Sequence, residues 1–174
     1  MTAHSLSLAA AQRAYVALMM TVISRGLCAA SINDDDVGRE VARFRPGYTL
    51  VMTVFPDGPR FGLEVTPDGR FARSAVTDEA ADLVIRFKHL AHAFLVFTFQ
   101  EGTARAFAND RMVADGDLLD AIRLVRCLNR MEALILPGPV ARRALKQYPP
   151  LPLGQKLRTA SGIYGRVAAS FFTR

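Results

Sequence analysis

Few residues in this chain of 174 have the type and spacing to do chemistry. His89 and His92 stand three apart on a segment able to form a helix, so they could share a face. Two imidazoles leave a zinc or transition-metal shell incomplete, and no third His or Cys lies nearby. We expect ordinary surface or capping histidines and no metal. The run Asp34-Asp35-Asp36 has carboxylates but lacks the spaced ligands and distal glutamate of a calcium loop. It reads as a solvated loop or a helix N-cap. Asp115 and Asp117 flank Gly116, and turn chemistry accounts for both. Cys28 and Cys127 are too far apart in sequence to make a metal or redox motif. Cys127 falls inside an apolar helical pattern and reads as a buried free thiol. No phosphate loop, dinucleotide fingerprint or nucleophile elbow is present. The expectation is a protein that is not an enzyme and carries no cofactor.

Two further patterns call for a partner rather than a reaction. Arg123, Arg126 and Arg130 recur at i, i+3, i+7 beside an apolar stripe of Ala121, Leu124, Val125, Leu128, Met131 and Ile135. They form a solvated helix flank, or they hold an acidic head group or phosphate surface. The chain also has 11 Phe and no Trp, with Phe94, Phe97, Phe99 and Phe107 close together. Such rings either pack a core or line a cavity for an apolar ligand.

The elements that position these residues can be read from periodicity. Residues 6–30 repeat apolar side chains at helical spacing. Asp36 to Phe44 suits a short second helix, and Pro46-Gly47 punctuates the chain. Tyr48 to Phe55, Arg60 to Thr66 and Arg70 to Val76 alternate as strands around turns at Pro56-Asp57-Gly58-Pro59 and Pro67-Asp68-Gly69. Short turns make an antiparallel meander the economical topology. Asp82 to Lys88 and Arg111 to Ala114 read as two more strands. Between them the segment His89 to Asp110 is ambiguous, with Thr103 to Asn109 a possible short helix. Asp117 is placed to cap the long helix that follows, and Pro137-Gly138-Pro139 ends it.

Charge divides the chain. From Pro137 to Arg174 there are seven Lys or Arg and no Asp or Glu, while the rest of the chain holds 15 basic and 16 acidic residues. Beyond the stiff Pro149-Pro150-Leu151-Pro152 connector, apolar residues repeat at three or four from Leu153 to Phe171. Lys156, Arg158, Tyr164, Arg166, Phe171 and Phe172 would contact an anionic membrane or a partner. Packing on the protein's own body or in a homo-oligomer competes with that reading, and nucleic acid is the weakest. The apolar run Ala14 to Ile23 would span only ~15 Å of a ~30 Å bilayer core, so we expect a cytoplasmic protein, at most peripheral to the inner membrane. The chain divides into an N-terminal helical segment (1–36), a central unit (37–136) and a basic amphipathic tail (137–174).

The stretch ADLVIRFKHLAHAFLVFTFQEGTARAFANDRMVADGDLLDAIRLV resembles the second half of a sterol carrier protein type 2 domain. A strand leads to a short helical region, then to a short apolar strand ending in Met112-Val113-Ala114-Asp115-Gly116-Asp117, then to a helix. The preceding YTLVMTVFPDGPRFGLEVTPDGRFARSAV fits the first three strands of that family, so the resemblance covers roughly Val37 to Leu136. It implies an α+β fold with a five-stranded, largely antiparallel sheet, helices on one face and an enclosed apolar tunnel. It also implies non-catalytic binding or presentation of a sterol-like, acyl or isoprenoid lipid, as in accessory factors of bacterial ubiquinone biosynthesis, with a partner enzyme as a further implied contact. On that reading Leu118, Ile122 and Val125 face the tunnel, with Phe94, Phe97, Phe107 and Met112 nearby. The family has no fixed ligand-contact signature, and the N-terminal helix and basic tail lie outside its pattern. A solid-core interaction module using the apolar and basic tail is the alternative.

Overall fold

A computed structural model describes residues 3–136 and 153–172. The chain opens with α1 (Ala3–Asn33) and α2 (Asp35–Val41). The strands β1 (Thr49–Val54), β2 (Arg60–Val65) and β3 (Phe71–Ser74) follow. After a short 3-10 turn come β4 (Leu83–Phe87), α3 (Leu90–Phe97), α4 (Thr103–Ala108) and β5 (Met112–Asp115). The helices α5 (Leu118–Ile135) and α6 (Leu153–Phe172) complete the described chain. The strands form one sheet in the order β3-β2-β1-β4-β5.

The α+β, five-stranded expectation holds, and the meander is present as β1-β2-β3. The sheet is mixed, because β4 lies beside β1 in parallel, with Met52 opposite Ile85. A parallel neighbour cannot be reached by a hairpin. The chain therefore leaves β3 at one edge and crosses to the far side of β1 through residues 75–82. Asp82 fixes the landing point. It accepts the Thr49 backbone N–H at 2.8 Å and the Thr49 hydroxyl at 3.0 Å, and it pairs with Arg45. Against the desolvation of its partial burial, these contacts hold the carboxyl below its ordinary range. Gly116 is required just beyond β5. Its φ is +133°, and a Cβ there would meet the Asp82 carbonyl oxygen at 2.6 Å.

Alternation settles which face is apolar. Leu50, Met52 and Val54 of β1 join Leu63 and Val65 of β2 and Leu83, Ile85 and Phe87 of β4 in one buried cluster. The helices close over that face. Val16, Met20, Ile23 and Leu27 of α1, Leu124, Leu128 and Met131 of α5, and Ile163 of α6 belong to the same cluster. All three segments separated by charge and punctuation thus share one core. The apolar stretch of α1 is longer than Ala14 to Ile23. Leu8–Asn33 is long and apolar enough to cross a bilayer by length and composition, and half of it is buried in the protein.

Candidate functional site

The phenylalanine-rich segment resolves into α3 and α4, separated by a turn in which Phe99 takes φ +58°. Its rings are packed. Phe97 stands edge-on to Phe87 at 5.4 Å between centroids, and Phe94 edge-on to Tyr15 at 5.4 Å. The Tyr15 hydroxyl donates to the Phe97 carbonyl at 3.1 Å, tying α1 to α3. Met112 is buried, and Phe94 and Phe107 rest partly buried against the core. None of these four lines any of the three cavities described below.

On α5 the core-facing stripe is Ala121, Leu124, Leu128 and Met131, as the periodicity predicts. The inward orientation expected of Leu118 and Ile122 is corrected: they are 70% and 41% exposed. The reason is angular. At about 100° per residue, Ile122 sits well around the helix from Leu124, and Leu118 lies in the first turn, where the helix has only begun to meet the sheet. Val125, between the two faces, is half-buried.

The arginine flank has partners. Arg130 Nε donates to Asp34 Oδ1 at 3.1 Å and Nη2 to Asp34 Oδ2 at 2.9 Å, and the same Nη2 is 2.9 Å from Asp36. Arg126 stands 3.6 Å from Glu40, and Arg123 pairs with Asp120 while its guanidinium lies over the Phe44 ring. The flank is therefore not a free phosphate-binding surface: two of its three residues bind the acidic helix α2 to α5. Asp34 also accepts the Val37 N–H as the N-cap of α2, as the cap reading of the acidic run predicts. The charged cavity of about 370 Å³ beside Arg126 and Arg130 is lined by these same self-neutralising residues.

A different site lies on the other side of α1. A cavity of about 380 Å³ opens between α1, edge strand β3 and α6. Cys28, Ala29 and Ile32 supply the α1 wall, Ala72 and Arg73 the β3 wall, and Arg166, Ala169 and Ser170 the α6 wall. A second cavity of about 230 Å³ continues along the same seam past Thr21 and Ser24, and Arg73 lines both. Thr21, Ser24, Cys28 and Ile32 recur at three or four residues, so one face of α1 forms the floor. Burial pushes the Cys28 thiol up to about 11, against the lowering influence of Arg73 and Arg25. The thiol is therefore a neutral wall group and a poor nucleophile.

The tail helix closes this seam. Arg25 donates to the carbonyl and hydroxyl of Ser170, the Tyr164 hydroxyl donates to the Ile135 carbonyl, and Gly162 lets Asn33 approach. The contacts run antiparallel, Asn33 to Gly162 at one end and Arg25 to Ser170 at the other. Ile163 is buried, whereas Arg158, Tyr164 and Arg166 remain exposed. The side chains of Lys156, Phe171 and Phe172 lie outside the described residues. Among the described residues no three His, Cys, Asp or Glu converge as metal ligands. His89 and His92 stack edge-on at 5.1 Å between ring centroids.

The seam was missed in the sequence, although a signal was there. The first acidic residue of the chain is Asp34 and the last is Glu132, so both helices of the seam are free of carboxylates.

No protein-family model and no curated protein matches the chain. Solved structures similar to it include the following three. The UbiJ-SCP2 ubiquinone synthesis protein has 12% identity and a TM-score of 0.46, over 67% of this chain and 95% of that one. The apo sterol carrier protein 2 from Yarrowia lipolytica has 15% identity and a TM-score of 0.44, over 63% of this chain and 86% of its own. Domain 2 of the sterol carrier protein of Helicoverpa armigera has 14% identity and a TM-score of 0.40, over 60% and 81%.

Proposed function

We propose that the protein binds an amphipathic lipid without catalysis, in the seam between α1, β3 and α6. The observation that carries this reading is the cavity of about 380 Å³, with Ala29, Ile32, Ala72 and Ala169 in its walls. That volume lies within the ~300–1,000 Å³ usual for small-molecule sites. Each methylene leaving water for such a wall gains roughly 0.8 kcal/mol, so a lipid chain can bind with few polar contacts. A cytoplasmic place beside the inner membrane belongs to the same proposal. The free Cys28 and Cys127 fit a reducing compartment. The basic residues beyond Pro137 would favour encounter with anionic lipid. The ligand would be an acyl lipid, a sterol-like molecule or an isoprenoid quinone precursor.

Native mass spectrometry of freshly purified protein, followed by organic extraction, tests this. A co-purifying lipid, lost from Ala169→Trp protein that is otherwise folded, is the expected result. A clean apo mass with no uptake from mixed lipids would overturn it. A second reading has its own observation: Leu118, Leu119 and Ile122 are exposed together at the start of α5. They would serve a partner enzyme or a second copy of the chain. A sedimentation coefficient that is unchanged by Leu119→Glu, together with unchanged partner capture, would remove it.

A further inference from the structure

We propose that β5 is an interface between two copies of the chain, which pair edge to edge into one continuous sheet. β5 is the last strand on its side of the sheet. Its outward groups follow from the register. The Lys88 N–H donates to the Arg111 carbonyl at 3.0 Å, while Phe87 lies opposite Met112 and Ile85 opposite Ala114. Antiparallel neighbours alternate between bonded and unbonded pairs. Arg111, Val113 and Asp115 therefore turn their backbone groups towards β4, and Met112 and Ala114 turn theirs away from it. Among the described residues, no other element bonds to the backbone of Met112 or Ala114.

The opposite edge is treated differently. On β3 the Thr66 N–H donates to the Arg70 carbonyl at 2.8 Å, so the same alternation turns Phe71 outward. There α1 covers the edge: the Phe71 N–H donates to Ser31 Oγ at 3.1 Å, and Arg70 donates to the Ser31 carbonyl. A bare edge is a template for another strand. The protein closes one edge with its own helix and leaves the other open.

The order of residues along β5 identifies the strand that fits it. A two-fold axis through Val113 sets Met112 of one copy opposite Ala114 of the other, so the outward groups meet as bonded pairs on both sides of the axis. Arg111, Val113 and Asp115 share one face of the strand. The same axis sets Arg111 of each copy opposite Asp115 of the other, and opposite charges directly across a strand pair are favourable. An axis through Met112 would set Arg111 opposite Val113 and lose this match. Arg111 engages Glu101 through Nε at 3.1 Å, which leaves its Nη groups for the second copy. Leu118 and Leu119 follow β5 just beyond Gly116 and are 70% and 63% exposed, so they extend the interface with apolar surface. The pairing gives the exposed leucines of the second reading a defined neighbour, and it does not depend on lipid binding.

The register supplies the test. At the axis the two Val113 Cα atoms would lie ~4.5 Å apart, within the range of a disulfide. Under mild copper-phenanthroline oxidation, Val113→Cys should form a crosslinked dimer at least about tenfold faster than Asp115→Cys. Random collision would give the reverse, because Asp115 is the more exposed position. Wild type under the same oxidant is the blank for Cys28 and Cys127. Sedimentation should show a dimer for wild type and a monomer for Val113→Lys, whose ammoniums would meet at the axis. Asp115→Arg should weaken the dimer, and Arg111→Asp/Asp115→Arg should restore it. If Val113→Lys loses its circular dichroism spectrum, the crosslinking comparison decides alone. A monomeric wild type overturns the pairing, as does Asp115→Cys crosslinking as fast as Val113→Cys. A dimer broken by Leu119→Glu but not by folded Val113→Lys also overturns it, and leaves the leucines as the interface. Lipid uptake is read separately, so failure of the pairing and failure of the lipid reading are distinguishable.

Discussion

Replacing Arg130 with methionine should destabilise the protein far more than removing any other arginine of its flank. Asp34 is 4% exposed, and the two side chains of the pair are 2% and 16% exposed. The substitution removes both guanidinium bonds and leaves the carboxylate buried. Breaking a buried pair from one side costs ~3–5 kcal/mol. Asp34 keeps its 3.1 Å bond from the Val37 N–H, which places the expected loss at the lower end, about 3 kcal/mol. The exposed half of the Arg130–Asp36 contact adds less than ~1 kcal/mol. For a chain of this size that loss lowers the melting temperature by roughly 6–12 °C. Urea unfolding at pH 7, followed by far-ultraviolet circular dichroism, reads it directly, and an unchanged m-value would confirm that only stability moved. Arg126→Gln is the control. Its contact with Glu40 is exposed at 3.6 Å, so its loss should stay within about 0.5 kcal/mol. Asp34→Asn retains a capping oxygen, so the double variant Asp34→Asn/Arg130→Met should lose only about 1 kcal/mol, because no charge is left buried. An Arg130→Met cost within about 1 kcal/mol of the control, or strict additivity in the double variant, would refute the reasoning.

Three other outcomes follow from burial and titration. Leu124→Ala should cost ~2–5 kcal/mol in the same unfolding assay, whereas Ile122→Arg should stay within about 0.5 kcal/mol; comparable losses would mean that the inner face of α5 is misassigned. Burial alone pushes the Glu132 carboxyl up to about 7. The folded state then holds a proton that the unfolded chain releases near 4.5, so stability should fall as pH rises from about 4.5 to about 7, on the order of 1–3 kcal/mol in all. Glu132→Gln should flatten that slope, and a wild-type profile flat across the window would count against a buried carboxyl. Maleimide labelling of Cys28 should climb about tenfold per pH unit towards 11, without a plateau near 9, and Arg73→Gln should slow it further by removing a cation that favours the thiolate; Cys127, fully buried, should stay unlabelled in folded protein.

Local pattern made the elements legible. The strand read over Arg60 to Thr66 is Arg60–Val65, and that over Asp82 to Lys88 is Leu83–Phe87, because alternation is a property of neighbours in sequence. Asp117 caps α5 through the backbone N–H groups of Leu119 and Asp120 for the same reason. Contacts between distant segments were not legible. The acidic run at Asp34 and the arginines of α5 read as two unrelated surface features, yet each is the other's counterion across 96 residues of chain. The phenylalanines of α3 could line a cavity or fill one, and only the positions of Tyr15 and Phe87 decide in favour of filling. The seam between α1, β3 and α6 is assembled from the two ends and the middle of the chain, so no window of sequence contains it. Its one legible trace is compositional, the lack of carboxylates before Asp34 and after Glu132.

The parallel pairing of β1 with β4 governs the order in which the protein can assemble. The meander β1-β2-β3 needs only local turns and can form early. Until β4 arrives, however, β1 presents a bare row of backbone donors and acceptors, although it becomes the centre of the finished sheet. A fragment ending before Leu83 would carry an apolar edge strand of the kind that joins other chains. The strand that covers it is also the one pinned by Asp82 to Thr49. That carboxylate thus fastens the strand that covers the exposed edge, and loss of the Asp82 side chain should show first as aggregation during refolding, before any change in the native fold.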